Sequence, residues 1–190
     1  DLAHRFAWGS VLMSFLCVLA VFTETLRTGA AREVVAYKWI FGGDLTINLA
    51  YLIDPLTCIM LLVITGVGFL IHVYSVGYMH GESGFTRFFV YMNLFMVSML
   101  LLVMGNNYVV LFIGWEGVGL CSYLLIGYYY DKVSAAKAAT KAFVVNRIGD
   151  AGFLLAIFLV FVNFRTLDYT QVMQNAAQLS PEMATAIALC

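Results

Sequence analysis

One apolar stretch constrains this chain more than any other: residues 108–130 are almost all hydrophobic, yet they contain Glu116. About 20 apolar residues cross a bilayer as a helix, so the stretch predicts a transmembrane span. With a rise of about 1.5 Å per residue, Glu116 would lie near the membrane midplane. An acidic side chain costs about 3 kcal/mol there. We therefore expect a partner or a water-filled path beside Glu116, and proton or ion transfer is the first functional hypothesis.

The composition extends this prediction to the rest of the chain. Hydrophobic residues make up 63% of the sequence and charged residues 11%, with a net charge of −1. Soluble domains usually carry about 25% charged residues, so a soluble enzyme is excluded, and nucleic acid is not an expected partner. We predict an all-α polytopic membrane protein with about five transmembrane helices, at residues 6–26, 55–76, 88–104, 108–130 and 137–162. A sixth span starts at 182–190, and we expect it to continue in a longer polypeptide.

A short β-hairpin is predicted outside the membrane at residues 37–51. Apolar and polar side chains alternate in its second arm, and Gly42-Gly43-Asp44 suits a tight turn. Such a hairpin would offer a contact surface to neighbouring chains. The next span begins with Asp54 as N-cap and Pro55 as the first helical residue.

Charged residues at the span ends suggest an orientation. Glu24 and Arg27 lie three residues apart at the end of the first span and are predicted to form an interfacial ion pair. Basic residues are in excess on the side of the amino terminus, which we call side A. By the positive-inside rule, side A is predicted to be cytoplasmic or matrix, and the hairpin then lies on the opposite side, side B.

The predicted fifth span carries charges of its own. Arg147 and Asp150 are three residues apart and can pair on one helix face, and Asp150 lies at much the same depth as Glu116. Lys137 and Lys141 precede them on the same span, one helical turn apart and nearer side A. Water between such groups would let protons move, with Glu116, Asp150, Lys141 and Arg147 as proton-pathway residues. The alternative is that Arg147 and Asp150 form a purely structural pair.

Small residues surround Glu116. Gly117 and Cys121 are spaced so that another helix can approach closely. Gly114, Gly119 and Gly127 are predicted instead to allow helix distortion or to leave room for water. The four cysteines lie far apart without metal-ligand spacing, so no haem, iron–sulfur cluster or metal is expected in this chain.

Four stretches carry a resemblance to one protein family. They are GVGFLIHVY at 66–74, RFFVYMNLF at 87–95, GWEGVGLCSYLLIG at 114–127 and KAFVVNRIGD at 141–150. The chain strongly resembles the antiporter-like membrane subunits of the respiratory NADH:quinone oxidoreductase, complex I, and best the chain L or subunit 5 class. The resemblance extends over residues 54–161.

This resemblance implies a proton-translocating membrane-arm subunit, coupled to quinone reduction elsewhere in the complex. It implies that Glu116 is essential, that it pairs with a lysine of a seventh span outside this sequence, and that Asp150 contributes nearby. NADH, FMN, iron–sulfur clusters and quinone would bind partner subunits, and this chain would hold no redox centre, with lipid as a conceivable ligand. Expected partners are other membrane-arm subunits, especially a neighbouring antiporter-like subunit, in a bacterial inner or mitochondrial inner membrane.

Two alternatives stay open. A subunit of a Na⁺/H⁺ antiporter complex or of a membrane-bound hydrogenase would share the fold, although the Gly-Val-Gly-Leu-Cys-Ser-Tyr sequence after Glu116 favours complex I. Alternatively, the chain is a non-transporting structural piece of the membrane arm, in which Glu116 only orients helices.

Overall fold

The computed structural model describes residues 2–42 and 45–190. Its elements in chain order are α1 (Ala3–Thr28), β1 (Arg32–Gly42), β2 (Leu45–Ile53), α2 (Pro55–Tyr78), α3 (Phe85–Met104), α4 (Tyr108–Ile126), α5 (Val133–Phe164), α6 (Tyr169–Asn175), a 3-10 turn (Ala176–Gln178) and α7 (Pro181–Leu189). Within these residues, the five helices α1 to α5 are long and apolar enough to cross a membrane. The predicted all-α membrane architecture with a β-hairpin is confirmed.

The fourth helix is shorter than the apolar run that predicted it. It ends at Ile126 rather than at 130, because the chain turns at Gly127. The three tyrosines that follow form a turn, and the Arg87 guanidinium lies 5.0 Å from the ring centre of Tyr128 and 4.9 Å from that of Tyr130. The amphipathic tyrosine rings thus lie beyond the end of α4, where a cation stacks on them, and not within the helix.

The second helix starts as its sequence predicts. The Asp54 carboxylate accepts a hydrogen bond of 2.7 Å from the backbone N–H of Thr57, and Pro55 occupies the first helical position. This cap satisfies one of the unpaired N–H groups of the first turn. The cap fixes where α2 leaves the β-hairpin.

The hairpin is longer than predicted, with β1 and β2 paired antiparallel from Arg32–Ile53 to Gly42–Leu45. Gly43 and Asp44 of the predicted turn lie outside the described residues. The expected alternation in β2 is only partly present, since Ile47 is buried but the next fully buried residue is Ala50. Ala50 lies against the α3–α4 turn, where its carbonyl accepts a hydrogen bond of 3.2 Å from the backbone N–H of Asn106.

The side-B ends of the helices are joined by backbone pairing. Isolated β-bridges connect Tyr51 with Gly105 and Asn107 with Asp168. A buried apolar cluster lies beneath them and consists of Ile47, Ile157, Val160, Leu167 and Val172. The hairpin is therefore anchored on the α3–α4 turn and on the segment after α5. Asp168 lies in this region, at the bridge with Asn107. Burial raises the pKa of its carboxyl group, and the negative charge of Glu33 raises it further.

The predicted ion pair at the end of α1 has a different partner. Glu24 Oε1 lies 2.7 Å from Arg32 Nη2, the first residue of β1, rather than pairing with Arg27. The chain turns back at Gly29, whose φ is +62°, a left-handed conformation that suits glycine. The reversal brings Arg32 over the last turns of α1, which the linear spacing of the sequence does not reveal.

Candidate functional site

The start of α4 fixes the position of Glu116. Asn107 is the N-cap, and its Oδ1 accepts hydrogen bonds from the backbone N–H groups of Val109 at 3.1 Å and Val110 at 2.9 Å. Its Nδ2 donates to the carbonyl of Asn48 at 2.9 Å. Glu116 follows nine residues after this cap, a rise of about 13 Å along the helix. The distance of Glu116 from the hairpin is therefore fixed through the Asn107 cap.

The packing of α3 against α4 depends on two glycines of α4. A Cβ on Gly114 would overlap the backbone of Leu102, and a Cβ on Gly117 would lie 2.5 Å from Ser98 Oγ. Close approach at Gly117 is what its spacing predicted. Gly114 has the same role, rather than the predicted one of distorting the helix or leaving room for water. Glycine here lets the two helices pack backbone to backbone, as is common in membrane proteins.

On the other side of α4, charged groups from α4 and α5 meet. Arg147 Nη1 of α5 forms an ion pair with Glu116 Oε2 of α4. Arg147 Nε lies 3.7 Å from Asp150 Oδ2, one turn further along α5. Trp115 Nε1 donates a hydrogen bond of 2.8 Å to the other oxygen, Asp150 Oδ1. We call these four residues the Glu116 cluster; the Arg147 guanidinium also stacks over the Phe143 ring at 4.7 Å.

Exposure within the Glu116 cluster is uneven. Asp150 is only 5% exposed, whereas the side chains of Glu116 and Arg147 are 25% and 39% exposed. Asp150 is thus enclosed between α4 and α5, and the Glu116–Arg147 pair lies at an open edge of the helix pair. A proton or a water molecule can reach this edge more easily than it can reach Asp150.

The predicted proton-pathway residues are only partly brought together. Glu116, Arg147 and Asp150 meet, and Arg147 takes the position of partner to Glu116 within the described residues. Lys141 does not join them: its side chain is exposed on α5, and in residues 2–42 and 45–190 it forms no ion pair. The six residues that separate Lys141 from Arg147 correspond to about 9 Å along the helix.

Sequence reasoning missed Trp115 as a member of the site. The signal was present, because Trp115 directly precedes Glu116 and an indole N–H inside a membrane needs an acceptor. What the sequence could not supply was the acceptor, which lies 35 residues away on another helix.

The chemistry that this arrangement allows is proton exchange at carboxylates around one shared cation. Arg147 can interact with either acid, and protonation of one acid would strengthen its preference for the other. Among the described residues, no group of three or more His, Cys, Asp or Glu side chains could hold a metal ion.

Comparison with family models gives two adjoining matches. Residues 39–89 match the model for the NADH-ubiquinone oxidoreductase (complex I) chain 5 N-terminus. Residues 105–190 match the NADH:quinone oxidoreductase/Mrp antiporter transmembrane model. Together the two models account for well over half of the chain, and the second includes the whole Glu116 cluster.

Individual relatives agree with these models. NADH-quinone oxidoreductase subunit L of Mycobacterium tuberculosis is 53% identical over 165 residues, which are 86% of this chain and 26% of that protein. The subunit L of Pseudomonas aeruginosa is 48% identical over 177 residues, 92% of this chain and 29% of that protein. NADH-ubiquinone oxidoreductase chain 5 of Rhizopus stolonifer is 39% identical over 188 residues, 99% of this chain and 29% of that protein. The chain thus spans less than a third of the length of these relatives.

Solved structures share the fold. A chain in the structure of the Mrp complex from Dietzia sp. DQ12-45-1b superposes with a TM-score of 0.75 at 25% identity, covering 99% of this chain and 22% of that one. A chain of the membrane-bound sulfane sulfur reductase, an archaeal respiratory membrane complex, superposes with a TM-score of 0.82 at 21% identity, covering 98% of this chain and 37% of that one. With five apolar helices and these matches, the chain is an integral membrane protein, and it belongs to the antiporter-like family of complex I chain 5 and subunit L.

Proposed function

We propose that this chain is part of a proton-translocating, antiporter-like subunit of an NADH:quinone oxidoreductase, with Glu116 as the group that takes up and releases the proton. The observation that carries this proposal is the ion pair between Glu116 and Arg147 inside two membrane-spanning helices, beside a second acid. An ionised acid inside a membrane is costly, and such residues generally serve ion or proton pathways.

The geometry supports a mechanism in which Arg147 changes partners. When Glu116 is ionised, the ion pair holds Arg147 at the open edge of the cluster. A proton that reaches Glu116 removes the negative charge and with it the attraction to Arg147. Asp150, whose Oδ2 lies 3.7 Å from Arg147 Nε, then becomes the favoured partner. When Glu116 releases its proton, Arg147 returns, so proton uptake and a small side-chain movement are coupled.

Lys141 has a separate place in this proposal. It lies on the exposed surface of α5 between Arg147 and the side-A end of the helix. Its positive charge there would bias where protons approach the Glu116–Arg147 pair, as a nearby cation disfavours an additional positive charge. We assign Lys141 to the approach from side A and not to the pair itself.

The redox chemistry is proposed to occur elsewhere. NADH, FMN, the iron–sulfur clusters and quinone would bind partner subunits, and this chain would contribute proton transfer without a redox centre of its own. Its partners would be other membrane-arm subunits, in particular a neighbouring antiporter-like subunit, together with membrane lipids. The membrane would be a bacterial inner membrane or a mitochondrial inner membrane.

The replacement Glu116→Gln tests the proposal, because glutamine has nearly the same shape but cannot bind a proton. We expect NADH-driven proton translocation in membrane vesicles to fall by at least about tenfold, with the complex still assembled on native gels. Glu24→Gln, at the end of α1, is the matched control and should leave translocation unchanged. If Glu116→Gln translocates protons at the full rate in an assembled complex, Glu116 has only the structural role of orienting helices.

A second candidate function is supported by the likeness to the Mrp complex and by the family model that includes the Mrp antiporter. In that case the chain would be a subunit of a Na⁺/H⁺ antiporter complex. Proton flux in vesicles would then depend on a sodium gradient and not on NADH. Flux that NADH drives in sodium-free buffer would rule this candidate out.

A further inference from the structure

Within the Glu116 cluster, Trp115 contacts the other members through one hydrogen bond. Its indole Nε1 donates a hydrogen bond of 2.8 Å to Asp150 Oδ1. Its ring meets the Phe153 ring of α5 edge to face, with the centroids 6.2 Å apart and the planes at 88°. Trp115 as a residue is otherwise about half exposed, at 48%. Neighbouring residues of α4, Trp115 and Glu116, therefore contact different members of the Arg147–Asp150 pair.

The two acids are held unequally. Asp150 is held by a hydrogen bond at one oxygen, since Oδ1 accepts from Trp115, whereas Oδ2 only faces Arg147 Nε at 3.7 Å. Glu116, in the part of the chain that the structure describes, has Arg147 as its one ion-pair partner. The 3.7 Å between Arg147 Nε and Asp150 Oδ2 is too long for a hydrogen bond, and Arg147 Nε has no other hydrogen-bond partner among those residues. Arg147 is therefore closer to Glu116 while Asp150 is stabilised by a different donor.

We propose that Trp115 is a positioning residue for this site: its indole N–H holds the Asp150 carboxylate and leaves Arg147 free to pair with Glu116. This inference rests on the proposed function and deepens it. A hydrogen bond to an ionised group is stronger than one between neutral groups. The donated hydrogen bond therefore supplies part of the stabilisation that Asp150 would otherwise take from Arg147.

The proposal has a direct consequence for proton transfer. Without the indole N–H, Asp150 would compete more strongly for Arg147, and Glu116 would lose part of its counter-charge. The acid that exchanges protons would then be less well defined, because two carboxylates would compete for one cation. Trp115 thus keeps the two acids in different roles.

The replacement Trp115→Phe tests this inference in the assembled complex, because phenylalanine keeps an aromatic ring beside Phe153 while removing the N–H donor and the second ring of the indole. We expect NADH-driven proton translocation to fall about threefold and its pH profile to shift by about half a pH unit or more. The thermal unfolding midpoint should stay close to that of the wild type. Trp39→Phe, on the exposed strand β1, is the matched control and should change none of these quantities.

A double-mutant cycle separates positioning from packing. In an Asp150→Asn background, where the acceptor is no longer a carboxylate, Trp115→Phe should cause no further loss. Independent, multiplying losses would show that Trp115 acts through other contacts and would overturn the inference. A Trp115→Phe complex with wild-type translocation and pH profile would overturn it too. If that result accompanies an inactive Glu116→Gln complex, the proposed function stands without this refinement, whereas an active Glu116→Gln complex removes the proposed function itself.

Discussion

Two polar regions of this membrane domain are built on opposite principles. The first is the asparagine pair, Asn106 and Asn107, at the turn between α3 and α4, where the residues are 4% and 1% exposed. Asn107 Nδ2 donates to Asn106 Oδ1 at 2.7 Å, and Asn106 Nδ2 donates to Glu33 Oε1 at 2.7 Å. The pair also caps α4 and contacts β2. Its neutral amides are paired on all sides, which fixes three elements in one arrangement.

The second region is the Glu116 cluster, where the polar groups are charged and incompletely paired. Arg147 contacts one carboxylate and lies 3.7 Å from another. Glu116 and Arg147 also remain partly exposed. The comparison teaches that full pairing of buried amides fixes a structure, whereas one cation near two acids leaves one of the acids incompletely paired. The asparagine pair holds the frame in which the cluster can change.

The largest effect should follow from breaking the asparagine pair with Asn107→Ala. This change removes the cap of α4 and leaves the carbonyl of Asn48 without its donor, which we expect to destabilise the fold by about 3 kcal/mol. The measurement is the thermal unfolding midpoint and the yield of assembled complex. Asn175→Ala, at the partly exposed end of α6, is the control and should have little effect. An Asn107→Ala complex as stable as the control would show that the pair does not hold the frame.

An intermediate effect is expected from Gly114→Ala, which tests whether the frame sets the position of the cluster. The added methyl group overlaps the backbone of Leu102, so α3 and α4 must move apart, at a cost of about 2 kcal/mol. Proton translocation should fall together with the unfolding midpoint, because Glu116 lies on the displaced helix.

The matched control for this experiment is Gly9→Ala in α1, where a Cβ would meet no atom within 4 Å. That change should be neutral or slightly stabilising, since alanine has the higher helix propensity. Equal behaviour of the two alanine variants would mean that α3 and α4 do not need their close approach.

The smallest effect concerns Asp168, beside the asparagine pair, whose pKa is raised by burial and by the charge of Glu33. A carboxyl group with a raised pKa binds its proton more readily in the folded state than in the unfolded state. The contribution of Asp168 to wild-type stability should therefore be greatest below the ordinary pKa of aspartate and should be lost as the pH rises through the raised value.

The replacement Asp168→Asn, which cannot ionise, should remove this dependence. We expect the variant to unfold about 1–2 °C above the wild type at neutral pH and at the same temperature near pH 4. Asp131→Asn, in the exposed turn on side A, controls for the general loss of one negative charge. If the unfolding temperatures of Asp168→Asn and wild type differ as much at pH 4 as at pH 7, the raised pKa of Asp168 does not cause the pH dependence.

Much of the fold could be predicted from the sequence, because hydrocarbon permits few solutions. Five apolar runs predict five helices, since every backbone polar group in a membrane must be paired within its own segment. Asp54 with Pro55 predicts the start of α2, and the hairpin follows from its alternation and turn residues. The end of α4 was less predictable, because tyrosines suit both a span and its interface.

The candidate site was predictable in its members but not in its contacts. Glu116, Arg147 and Asp150 are conspicuous as charges inside apolar runs, and the spacing of Arg147 and Asp150 predicts one shared face. No sequence pattern pairs Glu116 with Arg147 or Trp115 with Asp150, because those contacts join two helices. Lys141 carries the same sequence signal as Arg147, and only its place on the exposed side of α5 distinguishes it.

The sequence by itself determined that this chain enters a membrane, where α2 and α4 begin, and which apolar runs carry charged side chains. Transfer of each segment into hydrocarbon is a local free energy that its own residues fix. The tertiary structure alone decided which acid receives the cation and which receives the indole N–H. Those choices depend on the rotation and separation of α4 relative to α5, and these are set by packing among all the helices and by the asparagine pair at their end.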